Sequence, residues 1–218
     1  MTLDEIKKEV MDIHNKIKNE CIINGRLKKL YKGCQIYYSD IVINPDIMFI
    51  GINPGAGYFN HNKRIVEKFE PDEKLEYLQV DYMLGKQVIK LFKLMDREIL
   101  LEKAFKTNIY FFASNNINEF YDILYLLPQE LREELLYKNK YWIKEIINNI
   151  NPKCIICEGF LAYYELKKLF KDSFIVINEN VNFKYAKMDG TNICSFRRIM
   201  SSIVKKEYVA MNIKRIIG

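Results

Sequence analysis

Residues 47–60 read I-M-F-I-G-I-N-P-G-A-G-Y-F-N, an apolar run that breaks at Gly51 into a glycine-rich turn carrying one polar side chain, Asn53. A neutral amide held in such a turn can aim its carbonyl at a water or a ligand, which is the chemistry this segment offers. Pro54 restricts the backbone beside it, and Gly51, Gly55 and Gly57 let other groups approach closely. The preceding Ile47, Met48, Phe49 and Ile50 have the pattern of a strand buried on both faces of a parallel sheet. The turn therefore leaves the carboxyl edge of that strand, where open α/β sheets bind ligands.

The elements that must position this turn follow from periodicity. Leu3–Ile23 places Ile6, Val10, Ile13 and Ile17 at helical spacing after Thr2 or Asp4 as a cap. Residues 35–42 read as extended and 43–46 as a turn into the central strand; 60–77 read as a surface loop and 76–95 as one helix. A second buried strand is predicted over 107–113, ending in the polar Ser114-Asn-Asn-Ile-Asn118. Residues 118–149 read as helical, divided near Pro128. A third strand covers 154–158, with a helix opening at Gly159. Further strands are expected at 174–177 and 192–196, with a polar stretch containing Asp189-Gly190 between them, and a basic amphipathic helix closes the chain. Strands alternating with helices indicate a parallel α/β sandwich, and no repeat or linker divides residues 1–218 into more than one domain.

With 218 residues, 49% hydrophobic and 28% charged, the chain has the composition of an ordinary globular protein with one sizeable core. A formal charge of +6 suits a polyanionic partner. No apolar stretch approaches the ~20 residues needed to cross a bilayer, and the N-terminus lacks the pattern of a secretory leader, so a cytoplasmic location without membrane contact is expected. Five cysteines without such a leader point to reduced thiols. Cys154 and Cys157 have metal-ligand spacing but sit in an apolar strand, where residues three apart face opposite ways, so they read as core. With only two histidines, His14 and His61, no metal site and no cofactor site is assembled.

The order of elements and the residues at strand ends resemble the uracil-DNA glycosylase superfamily. Gly51-Ile-Asn-Pro-Gly55 is similar to its first motif as used by the mismatch-specific and single-strand-selective branches. Thr107-Asn108-Ile109 resembles the strand whose Asn reads the flipped base, and Asn151-Pro-Lys-Cys-Ile-Ile-Cys-Glu-Gly159 resembles the penultimate strand and turn. The likeness covers residues 47–198, with the first motif the most specific. It implies a three-layer α/β/α sandwich around a central, mainly parallel four-stranded sheet.

It also implies roles. Asn53 would hold a water against C1′ of an extruded nucleotide while the base departs with negative charge. Asn108 would pair with a pyrimidine edge, and Tyr58 or Phe59 would stack on the base. Gly55 stands where the uracil-specific branch has a tyrosine that blocks C5, so a 5-substituted or otherwise modified pyrimidine is expected. The resulting expectation is a monofunctional DNA glycosylase, acting as a monomer on DNA in base-excision repair or in defence against phages with modified bases.

The segment Asn192-Ile-Cys-Ser-Phe-Arg-Arg-Ile-Met-Ser-Ser202 departs from the family, which places a His-Pro-Ser-like motif there. Losing one donor to a developing anion costs about 3–4 kcal/mol. Arg197 or Arg198 would replace the histidine as a permanent cation, or bind backbone phosphate, with Ser195, Ser201 or Ser202 gripping phosphate beside them. His61, in the loop after the first motif, is a further candidate, although such a histidine is ordinarily solvated. The departure keeps a second reading alive, a catalytically inactive module that binds DNA or a modified nucleotide. A phosphate-cradling loop ranks last, because Gly51 to Gly57 lacks the G-K-[ST] ending of a Walker loop.

Overall fold

The computed structural model describes residues 1–55 and 66–218. In chain order the elements are α1 (Leu3–Ile23), α2 (Gly25–Leu30), β1 (Gly33–Gln35), β2 (Ile47–Gly51), β3 (Val66–Lys68), α3 (Glu76–Gln79), α4 (Met83–Met95), β4 (Phe105–Asn108) and β5 (Phe112–Ala113). They continue with α5 (Ile117–Leu126), α6 (Gln129–Ile150), β6 (Cys154–Cys157), α7 (Phe160–Leu169), β7 (Phe174–Glu179), β8 (Phe183–Met188), β9 (Thr191–Phe196), β10 (Arg198–Ile199), β11 (Ser202–Ile203) and α8 (Lys206–Ile217). The chain is α/β and folds as two compact units, each assembled from three segments: 1–37, 52–70 and 108–149, and 38–51, 71–107 and 150–218.

The first unit is built on α1. Thr2 and Glu5 form its capping box, the Thr2 hydroxyl accepting from Glu5 N at 3.2 Å and the Glu5 carboxylate accepting from Thr2 N at 2.7 Å. Ile6, Val10, Ile13 and Ile17 form its buried stripe. Trp142 of α6 stacks near Phe111 and donates its indole N–H to Glu9 at 2.7 Å. A three-stranded sheet pairs β1 with β3 in parallel and with β5 antiparallel. Gly33 opens β1 at φ +115°, and a Cβ there would stand 2.1 Å from the Val66 carbonyl oxygen. Gly33→Ala is therefore expected to lose the β1–β3 pairing; the backbone strain alone is on the order of 1–3 kcal/mol. A drop of that size or more in urea stability checks it.

The second unit carries a six-stranded sheet in the order β4-β2-β6-β9-β8-β7. β2, β6 and β9 are parallel, whereas β9, β8 and β7 form an antiparallel meander. The sheet is thus mixed and six-stranded, not four mainly parallel strands. The difference comes from β8, F-K-Y-A-K-M, whose two lysines, three residues apart on opposite faces, disguise a strand as a polar stretch. Asp189 at φ 48° and Gly190 at φ 87° make the tight turn that joins it to β9. One sheet face, with Ile47, Phe49, Cys154, Ile156, Cys194 and Phe196, packs against Val88, Leu91 and Phe92 of α4 and Val209 and Ile213 of α8.

Three more expectations are corrected. The strand foreseen over 107–113 is two strands, β4 and β5, in different sheets. Residues 109–111 between them are held by other partners: Asn139 donates to the Ile109 carbonyl at 2.8 Å, and Gln35 N to the Phe111 carbonyl at 2.9 Å. The helix over 76–95 is broken at residues 80–82, which are extended at Val80 and Tyr82, because Tyr82 turns to meet Glu76 and Lys106. The loop over 60–77 contains β3. Among the described residues no helix is long and apolar enough to cross a membrane.

Candidate active site

In the first unit, residues 52–55 run beside residues 110–114. Tyr110 N donates to the Ile52 carbonyl at 2.9 Å, Ser114 N to the Pro54 carbonyl at 3.3 Å, and Gly55 bridges Ser114 in parallel. This pairing fixes the turn, and Asn53 within it is half-buried. Its Nδ2 donates to Ser114 Oγ at 2.9 Å and to the Pro54 carbonyl at 3.2 Å. Ser114 Oγ in turn donates to the Asn116 carbonyl at 2.7 Å, so it accepts from Asn53. The amide cannot be reversed: a carbonyl oxygen accepts only, and the serine proton is already committed. Both donors are spent on the protein, and no described residue donates to Oδ1.

Asn108 ends β4 at 5% exposure, and no described residue hydrogen-bonds its side-chain amide. A buried amide in that state is a signal of a ligand position, since buried polar groups are nearly always paired. Gly55 is exposed, and no described atom lies within 4 Å of where its Cβ would stand. Tyr58, Phe59 and His61 lie outside the described residues.

In the second unit the residues foreseen as phosphate or leaving-group contacts separate. Ser195 is fully buried and donates to the Cys157 carbonyl at 3.1 Å. A hydroxyl so committed inside the sheet does not grip a phosphate, which corrects that expectation. Arg197 is exposed, its backbone joined to Asn182 and Val204. Arg198 is half-buried and begins β10, whose pairing with β11 makes a tight hairpin. Met200 at φ 53° and Ser201 form its turn, and Ile199 and Met200 stand out at 60% and 92% exposure. Two bare apolar side chains at a hairpin tip were not singled out from sequence, although the polar residues around them were.

Also missed was a buried ionic cluster. Lys106 in β4 is 4% exposed; its Nζ donates to Glu76 Oε2 at 2.9 Å and to Tyr82 OH at 3.2 Å, and lies 4.0 Å from the Tyr77 ring centre. Burial pushes the Lys106 ammonium down, but Glu76 and Tyr82 outweigh it and hold the group above its ordinary value. Glu158, directly after β6, is buried and lies 3.5 Å from Lys106 Nζ, yet its Oε1 receives no hydrogen bond. Lys106 is turned to Glu76 and Tyr82 instead. Burial accordingly raises the Glu158 carboxyl to about 8, with Arg198 opposing the rise and Glu76 adding to it. The sequence signal was faint: a lone Lys in the apolar frame F-K-T-N, and a Glu-Gly pair closing a buried strand.

All five thiols are buried and unpaired with one another as disulfides. Cys154 belongs to the sheet face under α4 and α8, consistent with a core role. His14 is buried between the Tyr31 hydroxyl and Glu67, and burial lowers its pKa. Among the described residues no group of three or more His, Cys, Asp or Glu side chains is arranged to hold a metal ion. No protein-family model matches the chain, and no curated protein matches it.

Proposed function

We propose that the chain is a monofunctional DNA glycosylase that extrudes a modified, 5-substituted pyrimidine and hydrolyses its N-glycosidic bond, leaving an abasic site. The observation that carries this reading is the Asn53 amide, whose donors are spent on Ser114 and Pro54 so that its carbonyl is presented for a water. In the reaction the water oxygen bonds C1′ as the C1′–N1 bond breaks. The bonding pair leaves with the base, and the water gives up a proton to solvent. Fixing the water in advance removes the entropy cost of recruiting it, which is where a neutral amide contributes.

Other features support the same reading. The Asn108 amide, to which no described residue hydrogen-bonds, has both donor and acceptor for a pyrimidine edge, and the absence of any described atom within 4 Å of a Gly55 Cβ suits a C5 substituent. Arg198 stands in the segment where the family carries its histidine and supplies a permanent cation. Ile199 and Met200 fit an apolar wedge that opens a base stack. The working form we propose is a monomer on DNA in the cytoplasm, in a three-layer α/β/α sandwich like that family's, acting in base-excision repair or anti-phage defence.

The test is incubation of the purified protein with uracil DNA, 5-hydroxymethyluracil DNA and phage DNA carrying modified pyrimidines, followed by alkali to cleave abasic sites. More breaks on the 5-substituted substrates than on uracil are expected. Binding without breaks on any of them favours the second reading, an inactive DNA-binding module. The lack of a histidine in residues 192–202 is what supports that alternative.

A further inference from the structure

We infer that the carboxyl half of α6 is a second DNA contact, a stacking face for single strands on which Tyr137 and Tyr141 take bases while Lys140 and Lys144 meet phosphates. Helical spacing puts these four residues on one face of α6. Tyr137 is 78% exposed and Tyr141 43%, and among the described residues neither ring packs against another ring or a cation. The opposite face does the packing. Asn139 and Trp142 are buried there, Asn139 donating to the Ile109 carbonyl at 2.8 Å and Trp142 to Glu9 at 2.7 Å. The tyrosine face thus lies across the helix, about 10 Å, from the segment that follows Asn108, on a surface separate from the Asn53 turn.

Charge selects the occupant. Lys140 is exposed and has no acidic partner among the described residues, and Lys144 stands half-buried one turn further on. The neighbouring carboxylates are engaged elsewhere: Glu134 takes Lys16 at 3.0 Å and Lys138 at 3.1 Å, and Glu145 takes the N-terminal ammonium at 2.8 Å. Glu130 and Glu133 continue the same stripe toward the start of the helix and repel phosphate, which confines the contact to the carboxyl half. Two bare rings interleaved with two cations match a chain that alternates flat bases with phosphates.

The spacing of the rings favours a single strand over a duplex. Residues four apart on a helix are separated by about 6 Å along its axis. Bases in duplex DNA stand about 3.4 Å apart on each strand, with their faces covered by their neighbours. Only a strand free to open can lay one base on each ring. Stacking of this kind tolerates any base, so the face holds flanking DNA without reading its sequence.

The experiment measures fluorescence anisotropy of a labelled deoxyadenosine oligonucleotide, whose purines do not suit a pyrimidine site, against the same sequence as duplex and as RNA. Y137A and Y141A are each expected to weaken single-strand binding roughly 5-fold to 150-fold, the worth of one stacked base. Y137F and Y141F keep the ring and bind as the wild type does. K140A lowers the salt slope by about 0.7, one phosphate contact. Tyr125→Ala removes a tyrosine equally exposed at 78%, on α5, and leaves binding unchanged. Wild-type affinity in the Y137A/Y141A double variant, an equal loss in Tyr125→Ala, or tighter binding of duplex or RNA overturns the inference. So does self-association of the DNA-free protein that Y137A/Y141A abolishes, which assigns the face to a second copy of the chain. Base release is read separately. Tyrosine-dependent binding without release from any DNA leaves this inference standing and sinks the glycosylase reading; release without tyrosine-dependent binding does the reverse.

Discussion

Asn53→Ala is expected to lower base release from 5-substituted-pyrimidine DNA by about 10²-fold or more, with substrate affinity little changed. In the proposed mechanism the side chain holds a water and not the DNA, so its loss would act on the rate of the step and not on complex formation. The fold tolerates the change. Asn53 is half-buried, and its two hydrogen bonds to Ser114 and Pro54 are worth on the order of 1 kcal/mol each. Single-turnover kinetics with alkaline cleavage of the product measures the effect. Full base release by Asn53→Ala would sink the assigned mechanism.

Lys106→Met is expected to destabilise the protein by about 3–5 kcal/mol, the usual consequence of removing one member of a buried ion pair. Methionine fills the space of the lysine stem, so the loss is electrostatic: Glu76, with a side chain 16% exposed, is left without its cation. The Tyr77 ring also loses the charge 4.0 Å from its centre. A double-mutant cycle with Glu76→Gln isolates the pair, since the neutral amide no longer needs Lys106. Urea unfolding at pH 7 is the measurement; a loss below about 1 kcal/mol would show that the pair carries nothing.

The two buried groups both lose stability as pH rises, in different windows. Lys106 is held above its ordinary value in the fold, so its contribution is fully present at neutral pH and is lost only as pH rises through the folded value. Glu158 is raised from an ordinary carboxyl value to about 8, so the folded state holds a proton that the unfolded state has released. Stability therefore declines as pH rises from 4.5 to about 8 and levels off above it. E158Q removes that decline, which makes the stability gap between E158Q and wild type widen across the same window.

Much of this was legible in the sequence because it is local. The α1 helix and its Thr2 cap, the break at Pro128, the strands at 47–51 and 154–157 and the turn at Gly51 all follow from residue spacing, capping and backbone preference. What the sequence could not supply was partnership across distance. β4 and β5 read as one strand because the apolar Ile109-Tyr110-Phe111 runs between them, and only their pairing with different neighbours separates them. β8 read as polar because Lys184 and Lys187 break its apolar pattern, although Lys184 is buried along with Phe183, Ala186 and Met188 and only Lys187 is exposed.

The same divide runs through the site. The sequence by itself determined that an amide, Asn53, stands in a rigid turn after a buried strand, because Gly and Pro dictate backbone shape from within the chain. Tertiary structure decided which way that amide faces, through Ser114, 61 residues away. It decided likewise that Ser195 is spent inside the sheet, and that Lys106, Glu76, Glu158 and Arg198 form one electrostatic group. Orientation and charge state depend on what each side chain touches in space, and that is set by packing between segments whose separation in sequence carries no signal of their meeting.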